Sequence, residues 1–342
     1  LGFPGEFHEF YRVDKSQLSQ WIKQEGARLG FDLTGIARVE RLDAEALDLE
    51  KWLKLGRHGT MDYMERNFDA RVDPSRLVEG AKSVISVMQP YFPQAAHQQP
   101  GGAPKISRYA WGEDYHTVLK RKLYALFAAI QQKAGDVQGR VFVDSAPVMD
   151  KAWGKRAGLG WIGKNTNLIH ARRGSWFFLG EIILDLELDY DGPSADHCGT
   201  CTRCIDACPT GALAPYQIDA SRCISYLTIE LKSEIPAAFR DHMEGWAYGC
   251  DICQEVCPWN RFTQPQQGDF DPLAHIGLTP QQWEELTPSA FNKLIRPTAM
   301  SRVKRGKWLD TLRFLKLLPQ AHHFEGEDDR RHEENEVAKG EF

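Results

Sequence analysis

The sequence predicts an α+β protein: an α/β sheet domain, a ferredoxin-like module with two clusters, and a short helical end. Three observations lead there. Strand-like and amphipathic helical stretches alternate from about residue 14 to 190. All eight cysteines fall between 198 and 257. From 275 to 320 the pattern is helical throughout, as in "LTPQQWEELTPSAFNKLI" and "GKWLDTLRFLKLLPQ". The expected divisions are residues 1–190, 191–262 and 263–324, followed by an acidic tail at 325–342.

In the first part, "SQLSQWIKQEGARL" spaces apolar residues at helical intervals behind a possible cap, Ser16. "FDLTGIARV" reads as a strand and "DAEALDLEKWLKLG" as a helix ending at Gly56. "SVISVMQPYF" is a strand stopped by Pro90, and "PQAAHQQPGGAPK" is a loop able to flap over a site. "EDYHTVLKRKLYALFAAIQQKAG" is a long helix. "GRVFVDSAPV" opens as a strand that delivers Asp144 to a turn, and "SWFFLGEIILDLEL" reads as a core strand pair.

No apolar run approaches the ~18 residues a membrane span needs, and the N-terminal stretch lacks the pattern of a signal peptide, so a cytoplasmic protein is expected. The net charge of −5 is local, because residues 325–342 carry eight acidic and three basic side chains. That tail is expected to be disordered or loosely helical. Residues 296–308 carry five Lys/Arg and no acid, either a solvated helix face or a patch for nucleic-acid phosphates.

The cysteines fall into C-x2-C-x2-C-x3-C-P (Cys198, Cys201, Cys204, Cys208, Pro209) and then Cys223 with "CDICQEVCP" (Cys250, Cys253, Cys257, Pro258). Tight turns bring three thiolates onto one cubane face, and the fourth comes from elsewhere, as in two-cluster ferredoxins. By that rule Cys198, Cys201, Cys204 and Cys257 hold one [4Fe–4S] cluster, and Cys208, Cys223, Cys250 and Cys253 the other. Disulfides do not suit a chain without an export signal, and zinc does not call for this run. The 26 residues between Cys223 and Cys250 are long for a plain ferredoxin and suggest that the module covers another cofactor or surface.

"GLGWIG" satisfies G-x-G-x-x-G, yet helix precedes it and a polar, strand-like segment follows, so it is not a dinucleotide site. Asp144 is a turn cap or a catalytic acid, and the second role would need burial to raise its pKa. His116 and Arg108 each read as structural when taken alone. "DYHTVL" places Leu119 where a cobalt-ligating D-x-H-x-x-G motif needs glycine, so no protein histidine ligand to cobalt is expected.

Together, "ISRYAWGEDYH", "VDSAPVMDKAWGKRAGLGWIGKNTNLI", "CGTCTRCIDACPTGAL", "CISYLTIE" and "GCDICQEVCPWN" closely resemble the epoxyqueuosine reductase family over residues 14–320. The resemblance implies a cobalamin enzyme with two [4Fe–4S] clusters that reduces epoxyqueuosine to queuosine in the tRNA anticodon. It makes Asp144 the acid. Around the cobalamin it puts Arg108, Asp144, Lys164, Asn165, Ser225 and Tyr226, with Gly249 to Asp251 adding contacts and Met61, Tyr63 and Arg66 nearby. The 26-residue insertion becomes a wall of that pocket.

The resemblance also makes the helical end HEAT-like, with Arg302, Lys304, Arg305 and Lys307 contacting tRNA. "RGKWLDTL" departs from the Arg-Asn pair common there, which bears on tRNA docking. The implied partners are tRNA and an external electron donor, and the chain is taken as a monomer. The competing readings are another cobalamin/iron–sulfur reductase, such as a reductive dehalogenase, and a ferredoxin-type electron carrier. The first usually has a twin-arginine leader, whereas the "RR" pairs here are internal; the second leaves the sheet domain without a role.

Overall fold

The structure is a computed structural model that describes residues 14–93 and 102–320. The stretch before residue 14, most of the 93–105 loop and the acidic tail lie outside the described residues. Helix α1 (Lys15–Arg28), strand β1 (Leu33–Arg38), α2 (Asp43–Lys54), α3 (Phe68–Val72) and β2 (Ser83–Pro90) come first. They are followed by β3 (Lys105–Ile106), α4 (Tyr115–Ala134), β4 (Gly139–Phe142), α5 (Asp150–Arg156), the short β5 (Trp161–Ile162) and β6 (Leu168–Ile169), and β7 (Phe177–Leu184).

The main sheet has the order β1-β2-β7-β4, and every neighbouring pair is antiparallel. Side chains alternate faces along a strand, so each strand feeds two cores. Ile85, Val87, Ile182 and Leu184 pack under α1 and α4 with Leu18, Ile22, Leu119, Leu123 and Ile130. Val84, Met88 and Ile183 pack on the other face with Ala46, Leu49, Ala152 and Trp153 of α2 and α5. Covering both faces explains the near-continuous apolar runs in β2 and β7.

It also corrects one expectation. "SWFFLGEIILDLEL" forms a single eight-residue strand, because Glu181, the residue that interrupts its apolar run, is itself fully buried instead of turning the chain. "GLGWIG" runs into the β5–β6 hairpin. Gly158 sits there at φ +77°, where an added Cβ would lie 2.8 Å from the Gly192 carbonyl oxygen.

The cysteine-bearing segment contains α6 (Arg203–Asp206), the hairpin of β8 (Leu213–Ala214) and β9 (Gln217–Ile218), α7 (Ile224–Ile229), β10 (Trp246–Tyr248) and α8 (Ile252–Glu255). The insertion between Cys223 and Cys250 has its own core of Ile224, Tyr226, Leu227, Ile235, Met243 and Trp246. Strand β10 pairs in parallel with β3, which ties this segment to the chain leading into α4. Helices α9 (Pro280–Glu285), α10 (Pro288–Ile295) and α11 (Arg305–Phe314) finish the molecule. Their Trp283, Phe291, Met300, Trp308 and Leu312 pack against Ile106, Trp111 and Tyr248. The C-terminal helices are thereby anchored beside the start of α4, where the candidate site lies.

Candidate active site

Strand β4 ends at Phe142, and Asp144 follows with φ +50°, a left-handed conformation that Asp tolerates better than most residues. Its carboxylate is half exposed, 49%, yet protein fills most of the space around it, as at the floor of an open cleft. The wall beside it is the first turn of α4. Asp114 caps that helix by accepting from the His116 backbone N–H at 3.0 Å. The cap residue is also a partner of the His116 ring, with Nδ1 at 2.7 Å.

The other ring nitrogen, Nε2, lies 3.1 Å from Asp144 Oδ2, and the Tyr115 hydroxyl donates to the same oxygen at 2.6 Å. Arg302, from the turn Ala299–Arg302, brings Nη2 to 3.2 Å from His116 Nε2. Partial desolvation works against the Asp144 carboxylate. The hydrogen bonds from His116 and Tyr115 and the charges of His116 and Arg302 outweigh it, so the pKa lies below the usual carboxylate value. The expectation that burial raises it is corrected: the cleft supplies cationic and hydrogen-bond partners as well as protein mass. For His116, burial opposes the charged ring, but Asp114 and Asp144 prevail and raise its pKa.

Behind this group Glu181 is fully buried and faces the carboxyl of Asp150, with the Ser86 hydroxyl beside it. Burial pushes Asp150 up to about 7 and Glu181 well above its ordinary value. Across the cleft, Tyr63 is exposed at its edge but pushed up to about 12, first by desolvation and then by the Glu230 and Asp144 charges.

The cysteines gather beside this cleft. Cys198, Cys201, Cys204 and Cys257 line one cavity of about 240 Å³ with Lys164, Asn165, His197 and Trp259. Trp161 meets the His197 and Trp259 rings edge-on beside it, and those two rings are tilted to each other. Burial pushes the Cys250 and Cys253 thiols far up, and each is raised further by Cys223; Cys208 adds to the rise at Cys223 and Cys253. Cys208, Cys223, Cys250 and Cys253 thus lie near enough to act on one another, and Cys204 of the first run also influences Cys253. Among the described residues no three His, Cys, Asp or Glu side chains could hold a single metal ion.

Several side chains expected at a cofactor have their polar ends engaged within the protein. Arg108 pairs with the fully buried Asp251 at 3.0 Å and with Glu255 at 2.8 Å. Lys164 donates to the Gly199 and Cys201 carbonyls at 2.7 and 3.0 Å, and Asn165 donates to the Cys253 carbonyl at 3.3 Å. The Tyr226 hydroxyl accepts from the Thr60 N–H, and Gly249 donates to Thr228. Ser225 is half-buried, Met61 packs on the insertion's core, and Arg66 is exposed.

The basic set at 302–307 is dispersed. Arg302 turns to the cleft; Arg305 donates to the Leu286 and Glu284 carbonyls and Lys307 to Ser233; Lys304 is exposed. Taken singly, His116, Tyr115 and Arg302 gave no catalytic signal. Asp114 and His116 were visible only as a failed cobalt motif, although a capping Asp two residues before a His also orients that ring.

A sheet domain presenting an acidic–imidazole cleft to a double set of cysteine loops defines an iron–sulfur oxidoreductase. Residues 197–260 match the 4Fe-4S double cluster binding domain. Residues 71–145 match the family described as "Epoxyqueuosine reductase QueG, DUF1730". A curated epoxyqueuosine reductase of Leadbetterella byssophila is 54% identical over 288 residues, covering 84% of this chain and 94% of its own.

Among solved structures, the chain is similar to selenomethionine-labelled epoxyqueuosine reductase (TM-score 0.82, 29% identity, 87% of this chain and 81% of that one). It is also similar to an epoxyqueuosine reductase with an epoxyqueuosine-modified tRNA-Tyr stem loop (TM-score 0.79, 29% identity, 87% and 80%). The chain belongs to the epoxyqueuosine reductase family.

Proposed function

We infer that the chain is an oxidoreductase that reduces epoxyqueuosine to queuosine in tRNA, with Asp144 as the acid at the reacting oxygen. Family membership over nearly the whole chain supports the reaction. The single structural observation that carries the site is the Tyr115–Asp144–His116 constellation on the floor of a cleft beside the cysteine loops. Turning an epoxide into an alkene takes two electrons and two protons and releases the oxygen as water, so the site needs an electron path and a proton donor. In this reading Cys198, Cys201, Cys204 and Cys257 bind one [4Fe–4S] cluster and Cys208, Cys223, Cys250 and Cys253 the second. An external donor supplies the electrons, the chain acts as a monomer, and a tRNA substrate places it in the cytoplasm.

The reading includes a large, amide-rich cofactor, cobalamin. The Nε of Arg71, near Tyr63 and Asp150, is buried without a partner, and an amide carbonyl can satisfy it. When bound, cobalamin supplies a strongly reducing cobalt centre for the C–O cleavage. Tyr63, Arg66, Ser225 and the backbone near Gly249 would hold it. Arg108, Lys164, Asn165, Tyr226 and Asp251 act from behind by fixing the loops that carry the thiols. Anaerobic turnover of epoxyqueuosine-containing tRNA by cluster-loaded protein, with and without cobalamin, tests this reading. Queuosine is expected only in the presence of cobalamin, and no queuosine in either arm overturns the assigned reaction.

A further inference from the structure

The contacts of His116 Nε2 cannot all be hydrogen bonds at once. When Nε2 carries a proton it donates to Asp144 Oδ2 at 3.1 Å and cannot accept from Arg302. When it is bare, it accepts the Arg302 N–H at 3.2 Å, while Nδ1–H stays on Asp114 at 2.7 Å. Each protonation state therefore has a complete set of partners, with no side chain required to move. The charged groups facing the ring come from three elements: Asp114 of the α4 cap, Asp144 after β4, and Arg302 after α10. Tyr115 stacks on the ring at 4.1 Å, and Tyr63 and Glu230 lie near enough to feel the Asp144 charge.

We propose that the proton for the departing oxygen is stored on His116 and passes to substrate through Asp144, making His116 a positioning residue set by Asp114 and reset by Arg302. The step rests on Asp144 being the acid. As two electrons enter from the external donor, the C–O bond breaks toward oxygen. Nε2–H of His116 passes to the Asp144 carboxylate as Asp144 hands a proton to that oxygen, and the bare ring nitrogen then accepts from Arg302. Solvent returns a proton to the pair through the half-exposed Asp144 carboxyl, and this supplies the second proton that the departing water needs. The balance is epoxide, two electrons and two protons to alkene and water.

Two measurements on the cluster-loaded protein decide it. In NMR titration of labelled histidine, with the His116 signal assigned from His116→Gln, His116 should titrate above the ordinary histidine range. It should drop by about one pH unit in Asp144→Asn and in Asp114→Asn. Titration of His116 at or below the ordinary value overturns the proposal. In turnover with cobalamin, the wild-type rate should fall as pH rises through the His116 titration, because the stored proton is lost. His116→Gln should be slowed at least ~10-fold and should lose that limb, whereas adding His116→Gln to the slower Asp144→Asn enzyme should slow it no further. A wild-type rate and pH profile in His116→Gln overturns the step alone. Absence of queuosine with wild-type enzyme overturns the parent reading and this step with it.

Discussion

Arg108 and Asp251 form an ion pair in which the carboxylate has no exposure and the guanidinium 10%. Asp251 also accepts from the Ser107 hydroxyl and the Arg108 N–H, so its oxygens are well supplied; burial nevertheless pushes it up to about 6. The Arg108 guanidinium lies against the faces of Phe92, Trp111 and Trp176. Removing one charge from such a pair leaves the other desolvated, which costs more than the pair contributes net. Asp251→Asn is therefore expected to destabilise the fold by about 3 kcal/mol, at the low end because Glu255 still faces Arg108. Denaturant unfolding of the anaerobic protein checks this, and a change under ~1 kcal/mol would show that Glu255 carries the contact alone. The lesson for Asp144 is parallel. Which way a buried carboxyl shifts depends on what surrounds it, and that was not readable from its place after a strand.

At the scale of elements, the two cysteine runs are near-copies. A four-residue helix, α6 or α8, follows the first thiols of each run, and a Cys-Pro step ends it. Because Cys257 lies at the far end of the second run yet lines the cavity of the first, Cys257→Ser should cost one cluster and spare the other. Iron analysis is expected to fall from about eight to about four atoms per chain. Loss of all iron would mean that the runs assemble as one unit.

The two runs were legible because thiol spacing is local. The helices and strands were legible for the same reason, since period and caps are written in neighbouring residues. The antiparallel order of the sheet was not, because pairing depends on which apolar faces meet. Nor was the site, for its parts come from residues 114–116, 144 and 302, and only the packing of α10 and the following turn beside α4 brings the last to the first.

Across the whole molecule, the C-terminal helices are both a structural brace and the face beside the cleft. His275, fully buried with Nε2 2.9 Å from the Ala110 carbonyl, joins them to the turn before α4. Burial drives its pKa down to about 4. The unfolded chain therefore binds a proton that the folded chain refuses between pH 6.5 and 4, and stability falls as pH drops through that window. The expected loss is about 2 kcal/mol between pH 7 and pH 5. His275→Gln should flatten that part of the profile in thermal unfolding, whatever it does to absolute stability.

The same packing divides the basic residues beside the cleft into two kinds. Arg305 spends its guanidinium on two backbone carbonyls at the end of α9, whereas Lys304 stands in solvent at the N-cap of α11, two residues from Arg302 in the cleft. If tRNA reaches Asp144 across this face, Lys304 meets phosphate, and each such contact released by salt contributes about one to the slope of log affinity against log salt. Lys304→Glu is then expected to weaken tRNA binding and lower that slope by about one, with the melting temperature unchanged. Arg305→Ala should do the reverse, lowering the melting temperature with little change in slope. Binding measured over a salt series for both variants separates the roles, and an unchanged slope in Lys304→Glu would move the tRNA path to another face of the cleft.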